Sequence, residues 1–553
     1  MADQAFDYII IGSGSAGSVL ANRISARPEN RVLVLEAGPP DSWWNWKIHM
    51  PAAFAYPLAD DKINWYYQTE PEPGMNNRVM LCPRGRVLGG SSSINGMVYI
   101  RGHARDYDRW AQGGNRGWSY SEVLPYFKRA EHRVKGGDEY HGSDGPLWVS
   151  SQVTFPPLLQ AWLEAAKQAG YPVTQDVNGY QQEGLGPYEM TTRKGRRWSA
   201  GRAYLHPAMK RSNVTVHTRA LTSRILFEGK RAVGVEYEMG GQVHRARAER
   251  EVIVSGGTIN SPQILMLSGV GDAEQLKSFD IPVVQHLPGV GQNLQDHIET
   301  YVQMEATQPI TLYGRYNALG KLRTGIEWAL FGTGWGASNH FEAGGFIRSR
   351  AGVEHPDLQY HFFPMAISYD GSQTQAGHGF QAHMGPMRST SRGWVKLRSA
   401  NPRDKVRIQF NYMSTEQDRQ EMRAGIRLTR ELFAQKAFDA VRGAELAPGP
   451  NVKTDAEIDA FIRAKAESAY HPSCSCKMGT DSMAVVDPEL KVHGMEGLRV
   501  VDASIMPTVV SGNLNAPVIM LAEKAADMIL GNAPLPRSEA PVYINPNWAA
   551  SQR

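Results

Sequence analysis

Three groups of residues carry side chains or spacings that can do chemistry. The first is Gly12-Ser13-Gly14-Ser15-Ala16-Gly17, a GxGxxG turn, with Glu36 at the end of the next apolar run. Three glycines in that pattern let a backbone approach a pyrophosphate, and an acid at that distance binds ribose hydroxyls, so the pair predicts a dinucleotide site. The second is His471, flanked by Tyr470 and Pro472, with Asn513 further on. An imidazole that titrates near 6.5 can be neutral at physiological pH and accept a proton, and an amide can hydrogen-bond the same group. Taken alone, a histidine in Tyr-His-Pro is more often structural than catalytic. The third is Glu342 beside Phe341, a carboxylate next to an aromatic face, which is the chemistry that holds a fixed organic cation. A solvated carboxylate at a strand end fits the same residues.

The elements that must position these groups are visible in the pattern. Residues 6–11 (FDYIII) are β-branched and aromatic, as in a strand buried on both faces of a parallel sheet, and should end at Gly12. Residues 19–24 have helical spacing, and 31–36 (RVLVLE) read as a second strand. Strand, glycine turn, helix, strand and acid thus fall in order, with the helix N-terminus facing the phosphates. This unit does not separate FAD from NAD, which share the adenosine diphosphate half. Residues 497–502 read as another buried strand, ending in Asp502, and 516–529 as a helix whose N-terminus, after Asn515, can aim N–H dipoles at developing negative charge. Residues 419–435 look helical, and the alternation in 394–398 predicts an antiparallel sheet open to water on one side. The proline-rich, aperiodic stretch 534–553 predicts a tail or an arm on a neighbouring subunit.

At 553 residues the chain has room for two or three domains. A formal charge of +4 is too small a bias to argue for nucleic acid or an anionic membrane surface as a partner. Cys82, Cys474 and Cys476 cannot build a disulfide framework, and Cys474-Ser475-Cys476 lacks the spacing of a zinc knuckle, so a reducing compartment and no metal are expected. The start lacks the basic and apolar regions of a secretory signal, and no apolar run approaches the roughly 18 residues of a membrane span. The expectation is a cytoplasmic protein, with at most peripheral contact on the inner face of the cell membrane.

Longer blocks add a family. GRVLGGSSSINGMVY at 85–99, GTINSPQIL at 257–265 followed by SGVG at 268–271, PGVGQNLQDH at 288–297, YHP at 470–472 and GNLNAP at 512–517 together resemble the glucose-methanol-choline oxidoreductases. That resemblance implies FAD rather than NAD, and oxidation of an alcohol. It implies an α/β fold: a discontinuous Rossmann-like FAD-binding domain (5–155, 205–300 and 465–535) with an inserted α+β substrate domain built on an antiparallel sheet (156–204 and 301–464), then a tail (536–553). Cofactor contacts are expected from Gly12, Gly14, Gly17, Glu36, Gly89, Gly90, Asn95, Asp502 and Asn515. The resemblance gives His471, Asn513 and His361 the catalytic roles. A histidine that carries the flavin covalently in related choline oxidases is Ile94 here, so FAD should be held non-covalently.

Within the family, NW at 64–65, TEPEP at 69–73, SNHFEAGGF at 338–346 and YHF at 360–362 are most similar to the choline-oxidising dehydrogenases. This implies Glu342, His340 and Phe341 around a trimethylammonium group, oxidation of choline to betaine aldehyde and on to glycine betaine, and a quinone or respiratory electron acceptor. The alternatives are a dehydrogenase of an uncharged primary alcohol and, more distantly, a non-redox flavoprotein of the hydroxynitrile lyase type.

Overall fold

The computed structural model describes residues 4–151, 154, 156–368 and 377–553; the boundary expected at 155 lies outside them. Strand β1 (Gln4–Ile11) is followed by helix α1 (Ser15–Ile24) and strand β2 (Val32–Glu36), all of whose residues are buried. Strand β3 (Val214–Thr218) pairs with β2, and the long strand β4 (Gln242–Val254) pairs with β1. Helix α2 (Gly257–Leu267), strand β5 (Leu498–Val500) and helix α3 (Asn515–Leu530) complete the layer. The five parallel strands lie in the order β3-β2-β1-β4-β5.

The chain leaves β1 toward β2 on one side and places β4 on the other, so the carboxyl ends of β1 and β4 form a topological switch point, where open α/β sheets bind ligands. Two glycines there are dictated by contact. Gly12 has φ of +97°, and a Cβ on it would approach the Ser255 carbonyl oxygen to 2.4 Å. A Cβ on Gly17 would come within 1.9 Å of the Gly12 carbonyl oxygen, so helix and strand could not pack this closely.

The second sheet is antiparallel, in the order Arg442–Ala447, Ile298–Ala306, Gly379–Pro386, Leu358–Phe363, Ala343–Ile347 and Gly184–Pro187. Glu467–Ser468, in the range expected for the flavin domain, pairs with the start of Ile298–Ala306. Successive side chains of a strand point to opposite faces. Tyr360 and Phe362, with Phe380, Ala382 and Met384, face the helices Pro156–Gln168 and Glu416–Phe433, where Trp162, Phe433 and Phe438 stack against them at ring distances of 5.1 to 6.4 Å. Each such ring pair adds about 0.5–1.5 kcal/mol beyond the area buried. The alternate set, Gln359, His361 and Phe363 with Gln381 and His383, is left for the opposite face.

Two expectations need correction. The sheet is not open to water on one side, because its two central strands are buried throughout. Trp394–Lys396, which prompted that reading, instead forms a separate hairpin with Arg407–Gln409. The C-terminal stretch is neither loose nor an arm reaching away, because it runs extended over its own chain. Arg348 Nη1 donates to the Ser551 carbonyl oxygen at 2.7 Å, Gly352 N to that of Trp548 at 2.8 Å, and Arg553 pairs with Glu431 at 2.7 Å.

Candidate active site

A cavity of about 700 Å³ runs from the glycine turn at the switch point to the inner face of the antiparallel sheet. Its first half is lined by Gly12, Gly14, Glu36, Gly90, Ile94 and Asn95, and it also reaches Asp502 and Asn515. Gly89, Gly17 and Ser13 stand behind this wall. A Cβ on Gly14 would meet only Gly90 Cα, at 3.9 Å, and one on Gly257 would meet nothing within 4 Å, so both leave room for a ligand rather than for protein.

Helices α1 and α3 begin at this wall with no side-chain cap and no acid in the first turn, and Ser15 Oγ donates to Asn515 Oδ1 at 2.8 Å, tying the two ends together. Uncapped helix N-termini leave backbone N–H groups for an anion, and the arrangement fits a dinucleotide pyrophosphate. Glu36 accepts from Ser13 N and Oγ at 3.1 and 2.7 Å and from Gly38 N at 2.8 Å, and burial raises its pKa. Asp502 is occupied structurally: it accepts from Gly257 N at 2.9 Å, Ser261 Oγ at 2.5 Å and Ser504 N at 2.8 Å, which anchors α2 against the end of β5. Asn95 Oδ1 accepts from Met97 N at 3.0 Å and from Arg197 Nη1 at 2.8 Å. Burial brings the Arg197 guanidinium down to about 9.

The other half of the cavity gathers His471, Asn513, His361, Phe341, Glu299 and His383. His471 is placed by its backbone N, which donates to Asp296 Oδ1 at 2.7 Å; Asp296, raised to about 6 by burial, also accepts from Tyr412 Oη at 2.5 Å. Its ring has a defined proton arrangement. His297 Nε2 lies 3.1 Å from the Met387 carbonyl oxygen, an obligate acceptor, so Nε2 carries the hydrogen. Burial drives His297 down to about 4, so its Nδ1 is a bare acceptor, facing His471 Nδ1 at 3.1 Å. His471 therefore carries its hydrogen on Nδ1 and a lone pair on Nε2. Asn513 Nδ2 donates to that lone pair at 2.9 Å, and Gln359 Nε2 donates to Asn513 Oδ1 at 3.0 Å, which fixes the amide the right way round. Burial first, then His297, His361 and Arg84, hold His471 well below the ordinary imidazole range, so at pH 7 the ring is neutral and its Nε2 lone pair is unprotonated.

On the facing strands, His361 and His383 are direct cross-strand partners. His383 Nδ1 lies 3.2 Å from Glu299 Oε1, and His361 Nδ1 3.8 Å from Oε2. Burial lowers the His361 pKa. Phe341 packs on Phe363 and Phe54 at 5.0 and 5.3 Å and meets the His361 ring at 5.9 Å, forming an aromatic wall of the same cavity.

Of the expected substrate triplet, Phe341 reaches the cavity, while His340 and Glu342 do not line it. Glu342 accepts from Ser338 Oγ at 2.6 Å and from Thr154 N and Oγ at 2.6 and 2.5 Å, so its carboxylate braces a loop. His340 is buried with Nδ1 3.4 Å from Thr154 Oγ, and burial lowers it to about 3. The residues that sequence reasoning passed over are Glu299, His297, Gln359 and His383. A usable signal existed: Gln-Tyr-His at 359–361 and Gln-Ala-His at 381–383 repeat one triplet in two strands, with both polar residues on one face.

Two GMC oxidoreductase family models match residues 6–299 and 389–522. Choline dehydrogenase, mitochondrial, of Mus musculus is 58% identical over 99% of this chain and 93% of its own length. The oxygen-dependent choline dehydrogenase of Pseudomonas fluorescens is 58% identical over 98% of this chain and 96% of its own length. Among solved structures, pyridoxine 4-oxidase from Mesorbium loti superposes with a TM-score of 0.85 at 30% identity, covering 96% of this chain and 100% of that one. An FAD-dependent oxidoreductase from Chaetomium thermophilum gives 0.86 at 29% identity, covering 95% and 99%.

Proposed function

The chain belongs to the GMC oxidoreductase family and is an FAD-dependent oxidoreductase of CH–OH groups; from that premise we propose that its alcohol is choline, taken to betaine aldehyde. The observation that carries this reading is Glu299, a carboxylate that lines the same cavity as the Phe341 and Phe363 rings, His471 and Asn513. A trimethylammonium group offers no hydrogen bond, so an acid and aromatic faces are what can hold it. Glu299 takes the role first expected of Glu342. The high identity to relatives named as choline dehydrogenases supports the same substrate.

His471 Nε2 accepts the hydroxyl proton, displacing the Asn513 amide, whose second N–H then holds the substrate oxygen. FAD, when bound, supplies the hydride acceptor. Gly12, Gly14, Gly17, Gly89 and Gly90 shape its cradle, with Glu36 toward the ribose and the N-termini of α1 and α3 toward charged oxygens. Ile94 lines the cavity without a nucleophilic atom, so the cofactor is held non-covalently. Trichloroacetic acid should release all flavin into the supernatant, and flavin left in the pellet counts against this. The hydrated aldehyde presents a hydroxyl to the same base, which extends the reaction to glycine betaine. Electrons pass on to a quinone or respiratory acceptor; offering oxygen and a soluble quinone to the reduced protein ranks the two.

The deciding experiment compares anaerobic flavin bleaching by choline and by 3,3-dimethylbutan-1-ol, its uncharged isostere, in wild type and Glu299→Gln. Wild type should favour choline by about 10- to 100-fold in kcat/KM, and the substitution should erase most of that preference while sparing the isostere. Equal use of both alcohols by wild type would leave an uncharged alcohol as the substrate, and no bleaching by any alcohol would favour non-redox chemistry.

A further inference from the structure

Buried arginines in this fold end on acids, with one exception. Arg101, Arg133, Arg348 and Arg499 pair with Glu131, Glu189, Glu183 and Glu251 at 2.6 to 3.0 Å. Arg197, only 1% exposed, has no carboxylate partner among the described residues, and its Nη2 meets no acceptor. Its other donors end on neutral oxygens. Nε donates to the Ile48 carbonyl oxygen at 2.7 Å, and Nη1 to the Ser92 and Asn95 carbonyl oxygens at 3.3 and 2.6 Å and to Asn95 Oδ1 at 2.8 Å. Burial alone shifts its pKa, with no charged side chain acting against it. A cation desolvated without an opposite charge destabilises the fold that holds it, which points to a negative group that arrives later.

The oxygens that hold Arg197 belong to the wall of the cavity. Ser92, Ile94 and Asn95 line its cofactor half, while Arg197 stands one layer behind them. The neighbouring chain is laced to the same loop: Ala200 N donates to Ser92 Oγ at 3.0 Å and Thr191 N to the Met97 carbonyl oxygen at 2.9 Å. The guanidinium is therefore fixed in place. Asn95 connects it to the cavity. Its Oδ1 accepts from Arg197 Nη1 and from Met97 N, so the two hydrogens on Nδ2 remain for whatever fills the cavity. An amide held with its oxygen on a cation and its hydrogens toward a ligand adds its own dipole to the field of the charge behind it.

Alcohol oxidation changes the charge in that cavity. The hydroxyl proton goes to the base, and the C–H hydrogen leaves with both electrons of its bond, so the alcohol becomes a carbonyl and the flavin gains a hydride and one negative charge. We propose that Arg197 is the standing countercharge to that anion, acting through Asn95 to raise the reduction potential of the bound flavin. The field is present before the electrons arrive, in a site from which water is excluded, where a fixed charge acts most strongly. The inference requires bound FAD and does not rest on choline as the substrate.

The test uses the flavin-loaded protein and no alcohol. Arg197→Gln removes the charge and keeps a hydrogen-bond donor, whereas Arg197→Lys keeps the charge and loses the planar fork. The midpoint potential, read against a redox dye, should fall in Arg197→Gln by about 30 mV, a tenfold shift for a two-electron couple. Sulfite adds to an oxidised flavin and leaves the same negative charge on the ring, so it should bind this variant about tenfold more weakly. Arg197→Lys should match wild type in both measurements at pH 6. A lysine starts lower than an arginine, and the same burial brings it into the range where it loses its proton, so by pH 8 its potential should drop below that of wild type. Wild-type potential and sulfite affinity in Arg197→Gln overturn the proposal. Equal losses in both variants at pH 6 also overturn it, and make Arg197 a brace for the Ser92–Asn95 loop. If Arg197→Gln retains no flavin, the lysine variant decides alone: a gap from wild type that is the same at pH 6 and pH 8 overturns the proposal.

Discussion

Replacing His297 by phenylalanine removes the acceptor that faces His471 Nδ1, 3.1 Å away, and keeps a planar ring of similar size in a fully buried position. The His471 Nδ1–H is then left unmatched in a buried site, at about 1–3 kcal/mol. The ring can escape that penalty only by moving its hydrogen to Nε2, where it meets Asn513 Nδ2, itself a donor, at 2.9 Å. Either state removes or weakens the lone pair that takes the hydroxyl proton. Treating the lost hydrogen bond as the energy separating the productive tautomer from the other gives a fall of about 5- to 150-fold in the flavin reduction rate. The assay is anaerobic stopped-flow reduction with choline, normalised to bound flavin, so that the electron acceptor does not enter. Choline affinity should change little, because the substitution removes neither Glu299, two residues along on the strand Ile298–Ala306, nor the Phe341 ring. A reduction rate within threefold of wild type at full flavin content would refute the tautomer argument, and so would a loss confined to affinity.

Two further outcomes follow from the hydrogen-bond pattern. Glu342→Gln replaces a carboxylate that accepts from Ser338 and Thr154, so it should lower thermal stability by about 1–3 kcal/mol and leave the choline KM within twofold; a specific loss of choline binding would return Glu342 to the substrate site. His141 is buried between Asp176 at 2.7 Å and Glu131 at 3.0 Å, and although burial and Arg101 oppose it, those two hydrogen bonds raise its pKa. A raised imidazole pKa stabilises the fold below its ordinary value of about 6.5 and ceases to do so as pH climbs through the folded value. His141→Gln should therefore fall short of wild type in thermal unfolding by more at pH 6 than at pH 9, and an equal gap at both would count against a charged His141.

The cofactor half of the site was legible because its logic is local. Gly17 is required by Gly12 five residues earlier, and Glu36 ends the next strand, so a window of some thirty residues contains the argument. The substrate half was not, because it is assembled by register. His361 meets His383 only through cross-strand pairing, and both reach Glu299 from a third strand. The misplacement of Glu342 has the same origin. Reading Phe341 and Glu342 as one binding pair assumes that chain neighbours face the same way, and here they do not. Phe341 goes to the cavity and Glu342 to Thr154 and Ser338.

Both ends of the substrate cavity take their polarity from the backbone. The Met387 carbonyl oxygen accepts from His297, His297 accepts from His471, and the chain terminates in a lone pair on His471 Nε2, to which Asn513 Nδ2 donates. Opposite it, the Ile367 N–H donates to Gln381 Oε1 at 2.9 Å, which turns Gln381 Nε2 onto His383 Nε2 at 2.6 Å. His383 must then carry its hydrogen on Nδ1, toward Glu299. One chain starts from a fixed acceptor and delivers a base; the other starts from a fixed donor and delivers an N–H that steadies a carboxylate. Main-chain groups cannot exchange their donor and acceptor roles, so neither chain can reverse without breaking a backbone hydrogen bond. An alcohol bearing a cation at its far end finds the two opposed polarities it needs already set by the fold.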